Sequence, residues 1–118
     1  MIKIKEEFGG WPSRDCKAVL TTPLKVDEFA RRLGSPIERA KDNLDWFTVT
    51  YFDLAGVGPV IIQHYDNDPV GHSIITIDSV SNTLKSENNL IDALSLKMSD
   101  VAWRLSDQDS SSDVLDSH

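Results

Sequence analysis

The sequence predicts an α+β domain built on a mainly antiparallel sheet, and three observations carry that expectation. The first is the stretch from Trp46 to Asp78. It holds three runs rich in β-branched and aromatic residues, separated by Asp53-Leu-Ala-Gly-Val-Gly58 and Asp66-Asn-Asp-Pro-Val-Gly71. Alternating strand formers broken by Gly, Asn, Asp and Pro are the pattern of a β-meander. The second is a set of amphipathic stripes at helical spacing on both sides of that stretch. The third is size: 118 residues can bury one core of their own. About three helices on a central meander, 46–78, give a single domain over 1–105, with an acidic flexible tail over 106–118.

Taken in order, Ile2 and Ile4 alternate with Lys3 and Lys5, as in a short strand with one wet face. Phe8-Gly-Gly-Trp-Pro12 interrupts that alternation and reads as a loop pinned by its aromatics. Lys17 to Thr22 reads as a second strand, stopped by Pro23. Val26, Phe29, Ala30 and Leu33 then fall at i, i+3, i+4 and i+7, one buried helical stripe. Lys25 is a poor cap chemically, but Asp27 and Glu28 suit the positive helix end. Leu24 and Phe29 occupy hydrophobic-staple positions, and Gly34 is a natural left-handed stop.

Ser35-Pro-Ile-Glu38 has the form of a capping box with Pro in the first helical position. It predicts a second helix from Pro36 to about Asn43, with Ile37, Ala40 and Leu44 on its apolar side. In the first meander strand Phe47, Val49 and Tyr51 share one face, predicted to be the core. Thr48 and Thr50 are predicted to face out. Val60-Ile-Ile lacks alternation, so its strand should be central and covered on both faces. Ser79 to Thr83 is a polar link. Ser86 reads as the cap of a third helix, with Glu87 in its first turn and Leu90, Ile91 and Leu94 as its stripe. Val101 to Leu105 reads as a short strand or tight turn with Trp103 buried. The run after Ser106 is too polar to order itself.

Charge is unevenly distributed. Residues 1–41 hold nine Lys/Arg against six Asp/Glu, and 42–118 hold three against thirteen. The net charge is −7, and no Lys or Arg occurs from Asp42 to Leu84. Such a chain is unsuited to a phosphate backbone and suited to a basic protein. A single cysteine, Cys16, neither staples a fold nor makes a zinc cluster, which points to a reducing, cytoplasmic setting. The N-terminus has no signal-peptide pattern, and no apolar run is long enough to cross a membrane.

Motifs for catalysis are sparse. No nucleophile elbow surrounds any serine, and Gly56-Val-Gly58 precedes a strand, as a hairpin turn does, rather than the helix of a phosphate loop. His64, His72, Asp66 and Asp68 lie within nine residues and could hold a metal or supply a base, but their spacing matches no common zinc site. His64 also reads as a sheet-edge histidine with an ordinary partner. No cofactor is expected.

The stretch Leu44 to Trp103 resembles immunity proteins of polymorphic and contact-dependent growth inhibition toxin systems in bacteria. The resemblance rests on Asp45-Trp46-Phe47, the glycine hairpin, Val60 to Tyr65, Pro69-Val-Gly71, and Ile74 to Asp78. It closes on Leu94-Ser-Leu-Lys-Met-Ser-Asp-Val-Ala-Trp103. It implies a non-enzymatic monomer that neutralises a cognate secreted toxin in a 1:1 complex, often a nuclease. The acidic residues place the partner-binding surface at Asp45, Asp53, Asp66 and Asp68, with Tyr65 as an aromatic anchor and Trp46 as a second one if it lies on the outer face, the alternative being a buried structural Trp. Two other classes fit the composition: an acidic secretion chaperone or similar binding module, and a small enzyme using His64 and His72.

Overall fold

The computed structural model describes residues 2–4, 16–41, 45–68, 71–77 and 83–107, with backbone alone at 2–4 and 83. The loop expected at Phe8 to Pro12, the link from Ser79 to Asn82 and the tail beyond Asp107 lie outside the described residues. The fold is α+β. Among the described residues seven strands form one sheet: β1 (Ile2–Ile4), β2 (Lys17–Thr22), β3 (Ile37–Lys41), β4 (Trp46–Leu54), β5 (Gly58–Tyr65), β6 (Ser73–Ile77) and β7 (Trp103–Arg104). Their order is β1-β4-β5-β6-β2-β7, with β3 also on β4, and the described pairings are all antiparallel. The helical elements among the described residues are α1 (Val26–Leu33), α2 (Thr83–Ala93), a 3-10 turn, Met98–Asp100, and the helical residues 105–107.

The meander forms where its sequence predicts it. β4 and β5 make a hairpin closed by the Val57 N–H to Leu54 carbonyl bond, 3.0 Å, with Gly56 and Gly58 supplying positive φ. β5 is central, and Val60, Ile61 and Ile62 are buried on both faces. α1 starts at Val26 without a side-chain cap at Lys25 and ends at Gly34 with φ 70°. The Gly34 N–H closes the helix onto the Ala30 carbonyl at 2.8 Å.

Four expectations change. The capping box Ser35 to Glu38 starts no helix; Ile37–Lys41 is strand β3, paired with β4 from Ile37 opposite Thr50 to Lys41 opposite Trp46. Ser35 finds its partner in the sheet instead, since its hydroxyl bonds that of the buried Thr50. A capping box is worth one or two local bonds, and pairing along five residues of a sheet outweighs it. Secondly, both faces of β4 are buried. Thr50, Phe52 and Leu54 lie on the helix side, and Phe52 and Leu54 pack with Val26 and Phe29 of α1 and Leu90 and Leu94 of α2. Phe47, Val49 and Tyr51 join Ile61 in a second cluster on the other face.

Thirdly, α2 starts three residues before Ser86, so Ser86 is not a cap but a buried side chain one turn in. Glu87 is fully buried. Its carboxylate accepts bonds from Arg104 Nε at 2.8 Å, from the Ser106 amide at 2.9 Å and from the Ser106 hydroxyl at 2.7 Å. A carboxylate without water must be paired and saturated with donors, and β7 with the residues after it provides them. Leu105, Ser106 and Asp107 are helical, so order continues to Asp107 at least. Lastly, Trp103 is half-buried rather than enclosed.

Candidate functional site

At one end of the sheet the start of β4, the end of β5 and the turn after it converge. The register places Lys41 opposite Trp46 and Phe47 opposite Tyr65. The Asp66 amide donates to the Trp46 carbonyl at 3.0 Å, and the Asp68 amide donates to the Tyr65 carbonyl at 3.2 Å, closing the turn. Asp45 braces that turn from the side, its carboxylate accepting the Asn67 amide at 2.9 Å. Five of the six residues that the sequence picks out therefore meet: Asp45, Trp46, Tyr65, Asp66 and Asp68. Asp53 does not join them. It lies seven residues along β4, opposite Pro59 and Lys3, roughly 23 Å away at strand rise.

The patch is not purely acidic, because β3 brings two cations into it. Arg39 makes a two-pronged pair with Asp66, one bond at 3.0 Å and a shorter second, and also donates to the Thr48 hydroxyl at 3.1 Å. The Arg39 guanidinium carbon and Lys41 Nζ each lie 5.9 Å from the centre of the Trp46 ring. Hydrogen bonding from Arg39 holds the Asp66 carboxyl below its ordinary range, and the same bond raises Arg39. Around Trp46 three carboxylates thus face two cations, a mixed surface rather than a single-sign one.

Trp46 is 46% exposed, one of only four large exposed hydrophobic side chains among the described residues. Tyr65 is half-buried and packs edge-to-face on Phe47, ring centres 5.5 Å apart. His64 is not at a sheet edge: it sits in central β5 opposite Thr48, with Nε2 buried and without a hydrogen-bond partner among the described residues. Among the described residues no three His, Cys, Asp or Glu gather as a metal site.

Arg39 and Lys41 were missed because the capping-box reading put them on a solvated helix. The missed signal is the turn chemistry of Asp42-Asn43 between them and Trp46, which suits a hairpin connection. Models of known protein families, curated proteins and solved structures were compared with this chain, and none matches. No described helix is long and apolar enough to cross a membrane.

Proposed function

We propose that this chain is a binding protein without catalytic activity of its own, which neutralises a cognate secreted bacterial toxin in the cytoplasm. The toxin domain is a basic nuclease, bound one-to-one as an immunity protein binds its toxin, and covered by the Trp46 end of the sheet. The observation that carries the proposal is the exposed Trp46, steadied by Arg39 and Lys41, with Asp45, Asp66 and Asp68 beside it at the end of the sheet. Trp, Tyr and Arg dominate the energetics of protein interfaces, because rigid aromatic area and planar donors lose little entropy on docking. A solvent-exposed Trp serves no purpose in the core that the sheet already fills.

A nuclease must attract phosphates, so its cleft is positive. The net charge of −7 draws such a domain in, while Trp46 holds it. With Asp66 already shared with Arg39, the steering rests on the whole chain more than on that turn. Binding kinetics against the basic C-terminal domain of a secreted protein encoded beside this gene test the proposal. Raising salt from about 0.05 to about 0.5 M, where screening shortens from ~14 to ~4 Å, should slow association. Trp46→Ala should leave association near wild type and speed dissociation. Unchanged binding in Trp46→Ala at both salt levels would place the interface elsewhere.

A further inference from the structure

β3 is the outermost strand along its stretch of β4; among the described residues nothing pairs with its far side. Ile37 is 48% exposed, Glu38, Arg39 and Lys41 are exposed too, and only Ala40 is half-buried. Every second amide and carbonyl of such a strand points away from its neighbour, a ready ladder for a further strand. Charged edges are commonly a bar to such pairing, and lysines dangling in solvent suffice for that. Here the charges are oriented. Arg39 is fixed by Asp66 and Thr48, and the Glu38 carboxylate accepts the hydroxyl of Tyr51, a side chain only 2% exposed. Charges held in place before binding recognise a pattern rather than merely repel.

The pattern disfavours antiparallel pairing of β3 with a second copy of this chain. In an antiparallel ladder outward-facing groups meet outward-facing groups, so β3 pairs with itself only between positions of equal parity. Three such registers overlap by three residues or more. One sets Arg39 against Arg39 of the other copy, one sets Glu38 against Glu38, and one sets Arg39 against Lys41. Like charges directly opposite one another are unfavourable in all three.

We infer that the outer edge of β3 is the docking edge for an extended antiparallel strand of a different protein. That strand is acidic opposite Arg39 and Lys41, basic opposite Glu38 and apolar opposite Ile37. Ile37, Arg39 and Lys41 line one face of the added pair and Glu38 and Ala40 the other, as the register with β4 dictates. The inference rests on the reading of the chain as a binding protein and names the part of the partner's backbone that it grips. Five residues with two acids and one base are a local pattern, which a basic domain can contain.

The experiment uses the full chain, isotope-labelled for amide spectra, and two synthetic peptides. One is Glu-Val-Glu-Lys-Val, matched to β3 when antiparallel; the other is its charge-inverted form, Lys-Val-Lys-Glu-Val. The matched peptide should perturb amides at 37–41 and slow exchange of the outward ones. It should bind about tenfold more tightly than the inverted peptide, the scale of three cross-strand charge pairs. A triple variant Glu38→Lys, Arg39→Glu, Lys41→Glu should invert the preference. Equal binding of both peptides, perturbation centred elsewhere, or no binding of either overturns the inference and leaves the edge merely blunted. If the peptides fail while Trp46→Ala still weakens capture of the toxin domain, the edge inference falls alone. If the matched peptide binds and no basic nuclease domain does, the toxin reading falls and the edge stands.

Discussion

Glu87 and Arg104 meet under α2, with Glu87 fully buried and Arg104 16% exposed; Arg39 and Asp66 meet at the rim, 52% and 42% exposed. The two ion pairs share a chemistry and differ in solvent. Under α2 the carboxylate has exchanged water for three protein donors, and any donor removed leaves part of a charge uncompensated. At the rim water replaces whatever the pair loses, so the pair orients side chains and adds little to stability. One pair therefore holds the end of the described chain to the domain, and the other sets the posture of a surface.

The comparison is broken most directly at Glu87. Glu87→Ala strands Arg104 in a half-buried site and frees Ser106, and should cost about 3–5 kcal/mol in denaturant unfolding. A loss under 1 kcal/mol would show that water enters the site and that the two pairs are alike after all. Ser35→Ala is the neutral counterpart. It leaves the fully buried Thr50 hydroxyl without the bond it has in the structure and should cost about 1–3 kcal/mol by the same measurement.

Arg39→Ala and Asp66→Ala should each leave the thermal midpoint close to wild type, and a double-mutant cycle should give a coupling near zero in high salt. Their effect belongs to Trp46, whose indole amide resonance should broaden once the Arg39 brace is gone. Acid sharpens the same point. Asp66 has a folded-state pKa below its unfolded one, so the pair's contribution is complete above the ordinary carboxylate value of about 3.9. It fades only as pH falls through the lower, folded value. Titration followed at the Arg39 side-chain resonances should show the pair intact at pH ~4.5 and released only below the usual Asp range. Release above that range would mean that the carboxylate is not held by Arg39.

The smallest effect lies at the chain's end. Truncation after Asp107 removes a polar, acidic run and should shift stability by less than about 0.5 kcal/mol. Truncation after Leu105 also removes both Ser106 donors to Glu87 and should cost about 1–3 kcal/mol more. Equal stability of the two truncations would deny Ser106 its place in the clasp.

What the sequence determined by itself is what short-range patterns encode. Val26, Phe29, Ala30 and Leu33 at helical spacing, with Gly34 beyond, specify α1 because one turn sees the next. Val60-Ile-Ile specifies a central strand because two covered faces admit no polar residue. Five of six proposed contact residues meet because hairpins bring neighbours in sequence together in space; Asp53 is left out because a strand carries its two ends apart. The tertiary structure decided the rest. Ser35 to Lys41 carries a credible helix start, yet becomes β3 because β4 offers a whole ladder of bonds where the capping box offers two. That decision moved Arg39 and Lys41 beside Trp46 and turned an acidic stretch into a mixed surface. Glu87 reads only as a first-turn residue, and the return of Arg104 and Ser106 beneath α2, seventeen and nineteen residues on, makes its burial possible. Charge partners distant in sequence leave no periodic trace, since electrostatic pairing depends on separation in space, and that separation exists only once the sheet has closed.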